Sequence, residues 1–256
     1  MQEKTLSSHY GEYYEKTAVF PQQLDEKEVN FFASLAPSQS ADILDLGCAE
    51  GRLATLLAGA GHRVSVADVA PSQLRHAENH AAKAGVRLEG AYPCNIEQGI
   101  EAFAGRRFDV VFFMDVVEHL KNPVAGLENL RALLKDDGVL ILNTPNACTP
   151  HRFLWHMLKR GPAMDYFNPD KLADFHFQTY DYLTLEKTLN FVGFRIAELV
   201  PTRITLPRLL ASRLLARCFP LLSDTLLIKC RKAAPIDLDA HIAHWRKDMP
   251  MHSPEK

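Results

Sequence analysis

The stretch Asp42-Ile-Leu-Asp-Leu46, running straight into Gly47-Cys-Ala-Glu-Gly51, constrains the fold of this chain more than any other segment. A short apolar run bounded by turn residues is the pattern of a parallel strand covered on both faces. Gly47 and Gly51 let the backbone turn sharply and approach a ligand, and Leu53, Leu56 and Leu57 then carry a helical period. A strand, a tight loop and a helix start together make a nucleotide-type crevice. Asp45 and Glu50 put negative charge beside the turn, where a pyrophosphate would be repelled, so the pattern points to a ligand with a cationic end. Asp68 closes the next apparent strand, Val64-Ser-Val-Ala-Asp68, 23 residues beyond Asp45. A carboxylate roughly 20 residues downstream of such a turn is placed to accept both hydroxyls of a ribose.

The rest of the chain repeats the strand–helix alternation. Strands are predicted near 42–46, 63–67, 86–91, 108–113 and 138–143, and helices near 51–60, 71–84 and 123–135, the signature of a doubly wound parallel α/β sheet. Pro71 suits a first helical turn and Gly85 a helix end. A helix near 181–191, stopped by Gly193, precedes a strand from Phe194 to Leu199, and Thr225 to Lys229 reads as the last strand.

Two segments fall outside a minimal sheet of this kind: 146–178, rich in aromatic residues, His and Pro, and 200–222, rich in Leu and Arg. The expected organisation is one domain over 1–230, with an N-terminal cap over 1–38, those two insertions, and a tail over 231–256. Substrate selection is expected in the insertions, because function varies in loops held by a rigid sheet.

Composition narrows the function classes. A 256-residue chain that is 47% hydrophobic can bury a substantial core. Its formal net charge of −2 supplies no global basic field, which argues against a nucleic-acid partner. Five scattered cysteines without a Cys-x-x-Cys pair suit free thiols in a reducing compartment, so zinc and disulfides are not expected. The first residues lack a charged-then-apolar leader, and no run approaches the ~18 apolar residues that would span a bilayer. A cytoplasmic protein is expected.

Three blocks carry a family resemblance. Asp45-Leu-Gly47-Cys-Ala49-Glu-Gly51 resembles the acidic-x-Gly-x-Gly-x-Gly turn of class I S-adenosylmethionine-dependent methyltransferases, with Ala49 at the middle glycine, a change that is mild if its φ is negative. Phe108 to Leu120 resembles the family's fourth strand and following loop, and Leu133 to Asn146 its fifth strand and approach. The resemblance, over roughly 40–200, implies a Rossmann-like sheet of about seven strands whose last strand is antiparallel, inserted between the fifth and sixth.

It also implies S-adenosyl-L-methionine as cofactor, with Tyr14, Asp45, Gly47, Cys48, Ala49, Gly51, Asp68, Val69, Asn95, Ile96 and Met114 around it. Within that set, Asn95 either accepts from the adenine amino group or caps its own loop, and Ile96 either packs on adenine or belongs to the core. Tyr13 and Tyr14 resemble the aromatic segment that closes over the cofactor, and simple packing of an N-terminal helix is the other reading.

Methylating a hydroxyl requires a general base, or a metal that lowers the hydroxyl pKa. Asp115, Glu118 and His119 follow the fourth strand, at the end where open α/β sheets place ligands; Asp115 and Glu118 would share a face if the turn were helical. Their spacing resembles an element of quinone-pathway O-methyltransferases and of RNA 2′-O-methyltransferases. There it is linked to a divalent metal, and His176 matches the later histidine of the RNA group. By that resemblance Asp115, Glu118, His119 and His176 are metal candidates, for Mg2+ or another divalent ion. Glu118, His119 and His176 are equally the catalytic candidates, with His119 as base, and a purely structural role for the loop is the third reading.

His151, Trp155, His156, Tyr166 and Phe167 either line an acceptor pocket or pack the first insertion onto the sheet. From Leu199 to Ser223 there are four arginines and no acid among many leucines, which suits peripheral contact with an anionic membrane, a grip on a lipid-linked substrate, or a plain lid. The expected activity is O-methylation of a small-molecule, sugar or prenylated lipid-linked acceptor. Its rivals are a metal-dependent RNA 2′-O-methyltransferase and a non-catalytic binding module of the same fold.

Overall fold

The computed structural model describes residues 25–150, 176–205 and 212–236. Helix α1 (Glu26–Ala33) is capped by the Asp25 carboxylate, which accepts from the Lys27 N–H, and it turns Val29 and Phe32 inward. Then follow β1 (Asp42–Leu46), α2 (Arg52–Gly59), β2 (Arg63–Asp68), α3 (Pro71–Lys83), β3 (Gly90–Pro93) and β4 (Phe108–Met114). The second half runs α4 (Pro123–Leu133), β5 (Leu134–Pro145), α5 (Tyr182–Phe191), β6 (Phe194–Val200), α6 (Arg213–Cys218) and β7 (Thr225–Lys232). The seven strands lie in the order β3-β2-β1-β4-β5-β7-β6. All neighbours are parallel except β7, which runs antiparallel to both β5 and β6. This is the expected Rossmann-like sheet with its inverted penultimate position.

Alternation along the strands splits the core into two layers, as a sheet covered on both faces requires. Ile43, Val64, Val66, Phe112 and Ile141 face α1, α2 and α3, while Leu44, Leu46, Val111, Phe113 and Leu142 face α4 and α5. Strand order reverses between β1 and β4, so a crevice opens at their carboxyl ends. The opposite end is closed by an ion-pair network in which Lys135 Nζ reaches Asp42 and Asp109 at 3.0 and 2.8 Å, and Arg63 Nε reaches Asp42 at 2.7 Å.

Element boundaries differ from the sequence reading where tertiary bonds intervene. β3 begins four residues late: Gly85 adopts a φ of 73°, the Val86 N–H turns back onto the Ala81 carbonyl, and pairing starts only as the Glu89 N–H reaches Val64. The fifth strand begins at Leu134 instead of 138, and α4 stops two residues early, because Leu134 already pairs with Phe108 before a register shift. β7 runs on to Lys232, and the Ala233 N–H still bonds the Gly193 carbonyl.

Candidate active site

Three strand ends build the centre. At the end of β1 the chain turns through Gly47 (φ 81°), Ala49 (φ 46°) and Gly51 (φ 74°). The Gly47 and Cys48 N–H groups both bond the Ala67 carbonyl, at 2.8 and 3.2 Å, which pins the turn to β2. A Cβ on Gly47 would collide with Val116 Cγ2, and one on Gly51 would lie 2.5 Å from the Cβ of Ala77 on α3. Close packing and positive φ therefore both demand glycine there.

The expectation of negative φ at Ala49 is corrected: the residue sits in the left-handed region. The reason is a bond, since this conformation aims the Ala49 N–H at Asp68 Oδ2, 3.1 Å away. Asp68 Oδ1 accepts from Ala70 N–H at 2.9 Å, so one carboxylate at the end of β2 fixes both the glycine turn and the entry to α3.

Asp45 is buried beneath the same turn, at 3% exposure. Burial pushes its carboxyl up to about 7 against the pull of the Ala54 N–H, and the Asp68 charge adds to the rise. Asp68 is likewise pushed up to about 6 by burial, opposed by backbone donors from Ala70, Ala49 and Val69. The Cys48 thiol between them is pushed well up by burial and by both carboxylates, which disfavours its thiolate. Met114 is buried at the end of β4, and Val69 is partly exposed after Asp68. Asn95 Oδ1 accepts from Glu97 N–H at 3.1 Å, a local loop cap, and Ile96 is buried in the core layer beneath α4. Tyr13 and Tyr14 lie outside the described residues, as do His151, Trp155, His156, Tyr166 and Phe167.

The second half of the site follows β4. Asp115 takes a φ of 53°, and a single 3-10 turn, Val117–His119, follows it, so Asp115 and Glu118 do not share a helix face. Asn143 and Thr144, at the end of β5, hold these acids: Asn143 Nδ2 donates to Asp115 Oδ1 at 2.7 Å, and the Thr144 hydroxyl donates to Glu118 Oε2 at 3.0 Å. Burial raises both carboxyls, with the Glu28 charge adding to the rise at Asp115 and the Asp115 charge to the rise at Glu118. The Glu118 carbonyl accepts from Gln178 N–H at 3.0 Å, which draws the 176–180 segment against the turn.

The His119 and His176 rings consequently meet edge to face, with centroids 4.7 Å apart. One donor atom each from Glu118, His119 and His176 falls within a common 4.8 Å, and Asp115 is not in that group. Two imidazoles and a carboxylate form a donor set suited to manganese, iron or zinc better than to magnesium, which prefers oxygen.

Asn143, Thr144 and Tyr180 carry no role in the sequence reading. Tyr180 is buried with an unpartnered hydroxyl, and burial and the Glu118 charge both push that hydroxyl up. The available signal was polarity itself, in the form of an Asn-Thr pair ending an otherwise apolar strand run.

Comparison with known proteins gives a consistent result. Residues 18–199 match a methyltransferase domain model. A ubiquinone biosynthesis O-methyltransferase of Cereibacter sphaeroides is 39% identical over 110 residues, 43% of this chain and 43% of that protein. The corresponding protein of a second strain is 39% identical over 148 residues, covering 54% of this chain and 59% of its own length. The matched stretch thus spans between two fifths and three fifths of these relatives.

Among solved structures, magnesium protoporphyrin IX methyltransferase of Synechocystis with bound SAH superposes with a TM-score of 0.61 at 15% identity, covering 88% of this chain and 99% of that one. A 1,6-didemethyltoxoflavin-N1-methyltransferase of Burkholderia thailandensis superposes with a TM-score of 0.59 at 17% identity, covering 90% and 88%. At such identities the structural likeness shows the fold.

Proposed function

Since this chain belongs to the methyltransferase domain family, we propose that it is an S-adenosylmethionine-dependent enzyme that methylates a hydroxyl of a small, prenylated or otherwise lipid-linked acceptor. The observation that carries the reading is the pair of carboxyls flanking one glycine turn, the buried Asp45 and the partly buried Asp68, each pushed up by its removal from water. Two acids raised in this way are stabilised in their charged forms by a cationic ligand. S-adenosylmethionine, when bound, supplies a methyl group on a cationic sulfur that becomes neutral as the group leaves.

The protein's own part is to position and to exclude water. Asp45 faces the cationic amino-acid end. Asp68 spends lone pairs on Ala49 and Ala70 and retains others for the two ribose hydroxyls. Gly47, Cys48, Ala49 and Gly51 present backbone to the ligand, while Val69 and Met114 supply apolar walls. Asn95 and Ile96 close the adenine end, a role compatible with the loop cap Asn95 already makes, since a side-chain oxygen accepts two bonds.

At the acceptor, His119 takes the hydroxyl proton while Glu118, held by Thr144, fixes the turn that aims it. A second reading has its own support: the shared 4.8 Å cluster of Glu118, His119 and His176 fits a divalent ion that would lower the acceptor's pKa.

The test is S-adenosylhomocysteine production against a panel of prenylated catechols, hydroxylated aromatics and lipid-linked sugars. Turnover on a hydroxyl acceptor supports the proposal, and exclusive turnover on nitrogen acceptors contradicts it. With the acceptor in hand, His119→Ala should cost on the order of 100-fold in kcat under the base reading. If a metal is used, chelation abolishes turnover and manganese restores it.

A further inference from the structure

We infer that the face formed by Leu214, Phe219, Leu221 and Leu222, with Arg213 and Arg217 beside them, docks on the surface of an anionic lipid bilayer at the mouth of the active site. The first observation is where apolar surface is exposed. Of the nine large hydrophobic side chains exposed among the described residues, five fall between 214 and 222, with Leu214 at 71% and Phe219 at 56%. Such concentration marks an interaction surface, whereas scattered exposed leucines need no explanation.

The second observation is charge. The chain carries −2 overall, yet from Leu199 to Ser223 it has four arginines and no acid. Arg203 is paired with Glu28 and Asp224, which leaves Arg213 and Arg217 as the cations beside the exposed leucines and Phe219, and an apolar face flanked by arginines matches the headgroup boundary of an anionic membrane. A second copy of this chain fits poorly, because a two-fold contact through this face would set Arg213 and Arg217 against arginines.

The third observation is that the face is mounted, not frayed. Ser212 Oγ accepts from the Leu215 N–H at 3.1 Å, and Ser212 and Ile204 exchange both backbone bonds. Ala216 is fully buried beneath the exposed leucines, and the Arg213 guanidinium lies over the Phe31 ring of α1, 5.3 Å from its centroid.

Asn146, itself fully buried, donates from Nδ2 to the carbonyls of Leu221 at 2.9 Å and Ser223 at 2.8 Å. Asn146 stands two residues beyond Thr144, which holds Glu118, so the docking face is strapped to the strand end that carries the acceptor side of the site. Among the described residues no helix is long and apolar enough to cross a membrane, and a surface contact needs none.

The inference rests on the lipid-linked acceptor proposed above for its purpose, but its test uses vesicles without acceptor, so either idea can fail alone. The full chain is floated with vesicles of phosphatidylcholine and with vesicles of phosphatidylcholine mixed equally with phosphatidylglycerol. Flotation is expected with the mixed vesicles and not with the neutral ones, and it should weaken as salt is added. Leu214→Ser combined with Phe219→Ser should reduce partitioning at least about tenfold, and separately Arg217→Gln about fivefold. Calorimetric binding of S-adenosylhomocysteine should stay at the level of the unsubstituted protein, which reports an intact fold.

Equal binding to both vesicle types, no binding to either, or full retention by the Arg217→Gln variant would overturn the inference. So would a dimer, seen by sedimentation, that the same substitutions dissociate. Vesicle binding without turnover of any prenylated acceptor would leave the docking face standing and remove the acceptor proposal.

Discussion

Gly51 and Gly85 have nearly the same backbone, with φ of 74° and 73°, yet their surroundings predict different costs of adding one methyl group. At Gly51 a Cβ would lie 2.5 Å from Ala77 Cβ and 2.7 Å from Ala77 Cα, so the backbone of α3 would have to move, whereas at Gly85 nothing lies within 4 Å. Gly85→Ala should therefore lose about 1 kcal/mol from backbone conformation alone, and Gly51→Ala about 3 kcal/mol once overpacking is added. Denaturant unfolding of the two variants checks this.

The paired acids give a second residue-scale prediction. Asp45 and Asp68 hold protons in the folded protein at pH values where the unfolded chain has released them. The unliganded protein should consequently lose stability as pH rises from the ordinary carboxyl range through about 6 to 7, and a cationic ligand should bind more tightly over that rise, releasing protons. Titrations of S-adenosylmethionine at about pH 5 and about pH 8, in buffers of different ionisation enthalpy, read both effects. Affinity independent of pH would contradict the account. The identity of these acids was plain in the sequence because strand ends and glycines mark them. The left-handed Ala49 was not, since its conformation is imposed by a bond to Asp68, a long-range partner.

At the scale of elements, Asn146 ties the end of β5 to the segment that leads into β7. Asn146 bonds Leu221 and Ser223 through its amide, and its Oδ1 accepts from the Cys148 N–H at 2.9 Å. Asn146→Leu removes the donor to the buried Ser223 carbonyl and two part-buried bonds with it, and should destabilise the protein by about 2 kcal/mol, more than an exposed cap such as Asp181→Ala at about 1 kcal/mol. Thermal unfolding of both variants compares them. Asn146→Leu should also weaken flotation with anionic vesicles.

The element order was legible from period and turn residues, and Asp181 and Thr184 form a capping box that starts α5 where the pattern placed it. Boundaries were less so. The early start of β5 depends on Leu134 finding Phe108, and the late start of β3 on Glu89 finding Val64, neither of which is written in local sequence.

Across the whole molecule, the site assembles from segments far apart in the chain: the turn after β1, the ends of β2, β4 and β5, and the segment at 176–180. Sequence alone brought His119 and His176 together only by resemblance, and their contact arises because the Gln178 N–H bonds Glu118. Arg203 adds a further tie, reaching Glu28 on α1 at 2.9 Å and Asp224 before β7 at 3.4 Å, so α1 and the second insertion are joined.

The central claim is that this crevice holds a sulfonium nucleoside between Asp45 and Asp68. Calorimetric titration of S-adenosylmethionine into the full chain tests it most directly. One site with a Kd of about 10 μM, weakened at least about tenfold by Asp68→Asn, is the predicted result. Absence of binding at high micromolar ligand, or binding that Asp68→Asn leaves unchanged, would contradict it.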